Sequence, residues 1–306
     1  MTTLHPKLQQ LQNQFAESPL VQIHDDFFNA AGVEIWIKRD DLLHSIISGN
    51  KWRKLKYILD HALKLDADTI ISMGGTYSNH LHALAFAGKC LGLKTMAYVR
   101  GEKPETLNPT LQDLLEWDME LRFISRSEYR ELRTYKSYDS LPGLKHRQYW
   151  LPEGGATELA LKGVAEIVSE IDRDFDVLFV ACGTGTTLAG LIQAAPSTTK
   201  IIGVAALKGA AFLRTDVEQM ISQSGAQQHD WSILLDYHFG GFAKKTPELI
   251  EFIQAFHAKH CTPLEPIYTG KALYAIYDLV KKGYFSPGQR IMVLHTGGLQ
   301  GIRQAS

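Results

Sequence analysis

The sequence predicts an α/β protein of two closely packed lobes, with parallel sheets covered by helices on both faces. Two observations carry that expectation. Strand-like and helix-like segments alternate along the chain, as in βαβ units. Three of the strand-like segments, residues 176–181, 200–206 and 291–295, are almost wholly apolar, the pattern of parallel strands buried on both faces.

Taken in order, residues 32–38 place Val33, Ile35 and Ile37 on one face, which predicts a strand. Residues 50–65 carry Trp52, Leu55, Ile58, Leu59, Ala62 and Leu63 at helical spacing. Residues 69–73 read as a strand running into Gly74-Gly75, and 81–91 as a helix. A short strand at 95–99, a helix at 111–117, a strand at 120–124 and a helix at 127–132 come next. Residues 134–148 are mostly polar and predict an exposed loop. Residues 149–151 then lead into the turn Pro152-Glu153-Gly154-Gly155, and 158–171 form an amphipathic helix. The apolar strand at 176–181 ends in glycines, with a helix starting at Thr186. Helices at 247–260 and 271–282 precede the last strand. The expected division is a large lobe from 1–51 and 150–306 and a small lobe from 52–149.

Composition narrows the function. The chain has 306 residues, 45% of them hydrophobic and 21% charged, enough for a sizeable core. A net charge of −1 gives no basic excess to suggest nucleic acid or an anionic membrane as partner. The opening stretch has no apolar run, so neither a signal peptide nor a membrane anchor is expected. Three cysteines far apart, Cys90, Cys182 and Cys261, fit reduced thiols in a cytoplasm and offer no metal spacing.

Four clusters could carry chemistry. In Ser48-Gly49-Asn50-Lys51-Trp52-Arg53-Lys54, Gly49 gives a turn and Asn50 can cap the adjoining helix. Lys51 and Lys54 share one helix face, where each depresses the other's protonation and frees an amine to attack a carbonyl. The pattern suits a Schiff-base lysine beside a phosphate-binding lysine, although alone it is more often a solvated basic helix start. The second cluster, Gly74-Gly75-Thr76-Tyr77-Ser78-Asn79-His80, lies between a strand and a helix. Its main-chain N–H groups could hold a carboxylate, with Ser78 and Asn79 adding side-chain bonds. It is equally readable as a plain turn with a Ser/Asn cap.

The third, Cys182-Gly183-Thr184-Gly185-Thr186-Thr187-Leu188, can form an anion nest. Leu188 stands where a dinucleotide fingerprint needs its third glycine, and the Gly-Lys-Ser/Thr ending of a nucleotide loop is missing, so a phosphate monoester is the best guest. The fourth pairs Tyr268-Thr269-Gly270-Lys271 with His295-Thr296-Gly297-Gly298. Singly these are turn signals, and His295 is more often a structural histidine than a base. His80 and His82 point to different helix faces, so no metal site is expected.

In this order, together with Pro152-Glu153-Gly154-Gly155, the clusters resemble the pyridoxal 5′-phosphate enzymes of the tryptophan synthase β-subunit fold (fold type II). More narrowly, they resemble the 1-aminocyclopropane-1-carboxylate deaminase and D-cysteine desulfhydrase family. The resemblance spans Gly49 to Gly298. It implies a pyridoxal phosphate carried on Lys51, which also shuttles the α-proton. It implies a phosphate held by Lys54 with Gly183, Thr184, Gly185, Thr186 and Thr187, and Asn79 on the cofactor's ring hydroxyl. Ser78, Asn79 and His80 would meet a small amino-acid substrate, Tyr268 would sit over the reacting carbon, and Thr269 would face the pyridine nitrogen. Thr296 belongs with the cofactor contacts. A homodimer is implied as well.

The cyclopropane deaminases carry a glutamate after this tyrosine. A carboxylate there keeps the ring nitrogen protonated and makes the stronger electron sink. Thr269, and Thr296 as the residue of the desulfhydrase branch, therefore favour β-elimination from D-cysteine over cyclopropane deamination. A second active-site tyrosine usual in the family is matched by Phe242, in Phe239-Gly240-Gly241-Phe242-Ala243. That departure keeps open a cofactor-holding protein with little catalysis. A nicotinamide oxidoreductase is disfavoured by Leu188.

Overall fold

A computed structural model describes residues 3–222 and 230–304. Two sheets organise them. The larger has the order β1 (Leu20–Ile23), β2 (Glu34–Lys38), β10 (Arg290–Leu294), β7 (Val177–Cys182), β8 (Lys200–Ala205) and β9 (Trp231–Leu234). Only β1 runs antiparallel to its neighbour β2. The smaller is all parallel, in the order β5 (Met119–Ile124), β4 (Lys94–Arg100), β3 (Thr69–Gly74), β6 (Gln148–Leu151). The α/β class with helix-covered parallel sheets is thus borne out, with one antiparallel edge strand as a correction.

The central strands behave as their composition demands. Every residue of β7 is buried, as are four of five in β10. Helices cover both faces, so no side of these strands meets water. Strand β1 has one buried residue in four, too weak an alternation to mark a strand in the sequence. Helices α1 (Pro6–Gln12), α2 (Asp26–Ala30) and α9 (Phe212–Ser222) and strand β9 are likewise unannounced by the sequence pattern. Each is short or buries few apolar side chains; β9 buries none fully. The expected loop at 134–148 is pinned rather than loose. Trp150 donates from Nε1 to the Tyr135 carbonyl at 2.9 Å, and Leu141 is buried.

Helix α3 (Asn50–Lys64) joins the two sheets. Its Trp52, Leu55, Ile58, Leu59, Ala62 and Leu63 are buried as their spacing predicts. Each large apolar side chain stabilises the fold by about 1.5–3 kcal/mol. The start of the helix corrects the expected cap. Gly49, not Asn50, is the cap residue, at φ +67°, and Asn50 is the first helical residue. A β-carbon on Gly49 would lie 1.9 Å from the Thr296 carbonyl oxygen, so only glycine lets these two chain segments cross.

One turn further, Arg53 ties the helix to the larger sheet. It donates from Nη2 to Asp40 Oδ1 at 3.0 Å and to Glu170 Oε2 at 2.7 Å, and Lys38 joins Glu170 at 2.9 Å. Lys38, Asp40 and Arg53 are all buried, so each needs the others. Helices α7 (Glu158–Ser169) and α8 (Thr186–Ala194) pack behind α3 and carry it against β7.

Among the described residues, no helix is long and apolar enough to cross a membrane. No group of three or more His, Cys, Asp or Glu among them is placed to hold a metal ion.

Candidate active site

The carboxyl ends of β3, β4, β7 and β10 converge on one cavity of about 470 Å³. This is where open parallel sheets collect ligands, because strand ends and helix starts expose main-chain donors together. Helix α3 crosses the same space with its first turn and brings Asn50, Lys51 and Lys54 into the wall.

Lys51 Nζ donates to Asn50 Oδ1 at 2.8 Å, and Asn50 Nδ2 donates to Thr187 Oγ1, also at 2.8 Å. Asn50 therefore aims the amine instead of capping the helix. Burial lowers the Lys51 pKa to about 8, against the opposing pull of the Glu265 charge. Lys54 is buried, with Nζ 3.4 Å from the Gly154 carbonyl oxygen. Burial first, then the charge on Lys51, hold its pKa well below the ordinary lysine value. The site thus holds two amines in a space that resists two positive charges. A dianion between them would relieve both.

A cradle for such an anion lies beside them. Gly185, at φ +75°, is the cap residue of α8, so the first N–H groups of that helix open onto the loop Gly183-Thr184-Gly185. The Thr184 and Thr186 hydroxyls pair at 2.9 Å. Gly154, at φ +66°, closes the other side; a β-carbon there would meet Thr184 Cγ2 at 2.9 Å. Of the expected phosphate residues, Gly183, Thr184, Gly185 and Thr187 line the cavity with Lys54. Thr186 is fully buried outside that lining.

The second wall comes from the start of α4 (Asn79–Leu91). Ser78 caps it, accepting from Leu81 N at 3.2 Å. Asn79 Oδ1 accepts from Gln300 Nε2, which leaves the Asn79 Nδ2 group as a donor. His80 is buried, with Nε2 2.9 Å from Ser72 Oγ. Ser72 donates its own hydroxyl proton to the Leu151 carbonyl at 2.8 Å, so His80 carries its proton on Nε2. Burial, then Lys51 and Lys54, push the His80 pKa down to about 3, so the ring is neutral. Its Nδ1 is a buried acceptor with no partner, in the cavity wall. His82 turns the other way, to Asp113 Oδ2 at 2.9 Å.

Tyr268 precedes α11 (Thr269–Lys281) and faces the cavity, its ring against Gly183 and in edge contact with Phe242 at 6.1 Å. Burial and the nearby Glu265 raise its pKa, so the phenol keeps its proton. Thr296 also lines the cavity. Thr269 does not. Its hydroxyl, expected to face a ligand, donates instead to Glu265 Oε1 at 3.1 Å, and the residue is buried outside the lining. The physical reason is a carboxylate four residues back, which takes the hydroxyl and the main-chain N–H of Thr269 together. Sequence reasoning misses Glu265. The available signal is a lone acid in the apolar run Leu264-Glu265-Pro266-Ile267, directly ahead of the Tyr-Thr-Gly-Lys motif. His295 is structural: Nε2 lies 2.8 Å from the Pro263 carbonyl and Nδ1 accepts from Gly297 N.

Comparison with known proteins agrees with this geometry. The profile of a family described as "Pyridoxal-phosphate dependent enzyme" matches residues 11–297. A Pyrococcus furiosus protein named "Putative 1-aminocyclopropane-1-carboxylate deaminase" is 33% identical over 97% of this chain and 96% of its own. A mitochondrial Arabidopsis thaliana protein named as a bifunctional D-cysteine desulfhydrase/1-aminocyclopropane-1-carboxylate deaminase is 31% identical over 89% of this chain and 74% of its own. A crystal structure described as that of an ACC deaminase homologue has a TM-score of 0.76 and 30% identity, covering 97% of this chain and 96% of its own.

Proposed function

Since the chain belongs to the pyridoxal-phosphate-dependent enzymes, we propose that it is a lyase that removes the thiol from D-cysteine, giving pyruvate, ammonia and sulfide. The residues of the cavity fit the cofactor. Two mutually repelling amines, an open helix start and threonine hydroxyls suit a phosphate dianion and an aldehyde, and the unpartnered His80 Nδ1 awaits a donor. Lys51 would hold the cofactor's aldehyde carbon. Lys54, with Gly183, Thr184, Gly185 and Thr187, would hold the phosphate, and Asn79 would meet the ring oxygen. When bound, pyridoxal phosphate supplies the electron sink for the charge left on the substrate's α-carbon.

The chain's own groups would do the rest. The first N–H groups of α4, that of His80 among them, with the Ser78 hydroxyl and the Asn79 amide, would orient the substrate carboxylate. Lys51 Nζ, with its pKa lowered to about 8, keeps a neutral share near pH 7 and can take the α-proton. The Cβ–S bond then breaks with its electron pair on sulfur. Tyr268, still protonated, would give the departing thiolate a proton. The released enamine takes up water and falls to pyruvate and ammonia.

The observation that carries the choice of D-cysteine is Thr269. The residue after Tyr268, a carboxylate in a ring-opening deaminase, is an uncharged threonine whose hydroxyl is taken by Glu265, so position 269 offers the ring nitrogen no carboxylate, and thiolate leaves without a protonated ring to draw on. The reading extends to two lobes, 52–149 against the rest, closing on the cofactor. It extends also to a homodimer in a reducing cytoplasm, which suits the three free cysteines.

The test is to give cofactor-loaded protein D-cysteine, L-cysteine and 1-aminocyclopropane-1-carboxylate separately, assaying sulfide with pyruvate or 2-oxobutanoate. Sulfide and pyruvate from D-cysteine alone support the reading. 2-Oxobutanoate from the cyclopropane acid refutes the Thr269 argument. Silence on all three moves the weight to a cofactor-holding role, for which Phe242 at the cavity mouth is the motive. Lys51→Ala should abolish turnover.

A further inference from the structure

Glu265 is fully buried and has no part in the chemistry above. Its two oxygens accept from four donor groups: Ile267 N at 2.6 Å, Tyr268 N at 2.9 and 3.1 Å, Thr269 N at 2.6 Å and Thr269 Oγ1 at 3.1 Å. Three of these are the main-chain N–H groups around the start of α11, where a negative charge is also favoured by the helix dipole. Burial pushes the Glu265 pKa up, and these same donors pull against that rise. Every polar neighbour in this set donates, so a proton on Glu265 would have no main-chain acceptor to meet. The arrangement is built for an ionised carboxylate, because a buried charge is tolerated only when its lone pairs are satisfied.

Its place is unusual for a simple helix cap. An ordinary cap is a small polar residue immediately before the first turn. Here that position is Tyr268, whose side chain makes no capping bond, and the cap is supplied from three residues earlier by a group inside the protein. Gly298 lies beside both this carboxylate and the cavity residue Asn79. A β-carbon on Gly298 would stand 2.9 Å from Asn79 Nδ2 and 3.6 Å from Glu265 Cγ.

The charged and titratable groups around this carboxylate and Lys51 come from four elements. They are Lys51 and Lys54 of α3, His80 of α4, Cys182 of β7, and Tyr268 with Lys271 around the start of α11. Lys271 is committed elsewhere: its ammonium donates to the carbonyls of Ala206, His238 and Gly241. Lys54 faces the anion cradle, His80 is neutral, and burial keeps the Cys182 thiol protonated. The Glu265 charge opposes burial at both Lys51 and Lys271, and of the two Lys51 is the amine in the cavity wall.

We propose that Glu265 is a positioning residue, one that fixes Tyr268 at the cavity wall by holding the main chain of residues 267–269, and whose standing negative charge favours the protonated Lys51 nitrogen against burial. This rests on the reading that Lys51 carries pyridoxal phosphate. It goes beyond that reading in assigning a group that touches neither substrate nor cofactor.

The experiment is an absorbance titration of the bound cofactor in wild-type, Glu265→Gln and Glu265→Asp holoenzymes, together with kcat and KM for the amino acid that turns over. Losing a nearby opposite charge lowers a cation's pKa by about one unit or more. The Glu265→Gln titration should therefore fall by about one pH unit, with kcat down at least about tenfold and KM within about twofold. Glu265→Asp keeps the charge and shortens the reach; its titration should stay near wild type while kcat falls. A Glu265→Gln titration at the wild-type pH, or a Glu265→Asp titration shifted as far as that of Glu265→Gln, overturns the charge role. Wild-type kcat in Glu265→Asp overturns the positioning role, and this arm stands even where Glu265→Gln does not fold. The titration reads the cofactor and not the substrate, so a wrong choice of amino acid leaves it intact. A wild-type chromophore that never develops, or one that persists unchanged in Lys51→Ala, sinks the parent reading instead.

Discussion

Replacing Lys271 with Met probes how the cavity mouth is held. The side chain is fully buried, and its ammonium lies 3.2 Å from the Ala206 carbonyl oxygen, 2.9 Å from that of His238 and 3.0 Å from that of Gly241. Methionine fills nearly the same volume, so the cavity penalty is small. What is lost is the donor. Each carbonyl left without one costs about 1–3 kcal/mol, partly offset because the ammonium no longer has to be kept out of water. That offset is real here, since burial lowers the Lys271 pKa to about 8. The net expectation is a destabilisation of about 2–4 kcal/mol.

The loss should concentrate in one segment. Phe239, Gly240 and Gly241 all sit at positive φ, and two of the three bonds end on this loop. Phe242, next in the chain, rests on Tyr268. Freed of the ammonium, the loop should gain the mobility that lets trypsin cut at the already exposed Lys244 and Lys245, and the Phe242 wall should loosen, raising KM more than it lowers kcat. Urea unfolding and timed proteolysis of the holoenzyme measure both effects. A stability loss under about 1 kcal/mol with wild-type cleavage of the loop would refute the assignment of Lys271 as its anchor.

The same geometry sets three more expectations. With the Lys51 pKa lowered to about 8 from 10.5, the neutral amine at pH 7 should be roughly 300-fold more abundant than on an ordinary lysine. The lowered pKa brings the nucleophile out at lower pH, so capture of pyridoxal phosphate by cofactor-free protein should rise through pH 8; a profile that begins only toward pH 10 contradicts the burial argument. Gly49→Ala forces a β-carbon onto the Thr296 carbonyl at positive φ and should cost about 2–4 kcal/mol. It should also weaken cofactor binding by equilibrium dialysis, and unchanged affinity would show that the crossing does not position Lys51. Arg53→Met leaves Asp40 buried without its cation and should destabilise by about 3–5 kcal/mol in urea. Arg53→Met joined with Asp40→Asn should recover part of the loss, and no recovery would mean the pair is not the source.

Much of this site is legible in the sequence because its parts sit at strand ends, where composition changes abruptly. The wholly apolar β7 stops at Cys182 and gives way to glycine and threonine, which locates an anion cradle without any structure. The amines of Lys51 and Lys54 can be placed on one face from their spacing alone. Other features depend on geometry that residue type does not encode. Asparagine is a better cap than glycine by propensity, yet the crossing with Thr296 demands φ +67° and gives the cap to Gly49. The direction of the Thr269 hydroxyl is unreadable because a carboxylate four residues away decides it. Glu265 has only its apolar neighbours Leu264, Pro266 and Ile267 to mark it as buried, and they do not announce that the next helix folds its N–H groups around it. Strands β1 and β9 are too partial in their burial to show a period.

Strand β10 lies between β2 and β7, in the middle of the larger sheet, and the segment just after it crosses Gly49. That placement orders events in time. The smaller sheet is drawn from one continuous stretch, Thr69 to Leu151, and can pair as soon as that stretch exists. The larger sheet stays in two halves until residues 290–294 slide between them, a pairing across most of the chain and therefore a slow one. Lys51 is made early, but the floor beneath it is laid last. Cofactor uptake during refolding should accordingly trail secondary structure, and the colour of the bound cofactor serves as a clock for the closing step of assembly.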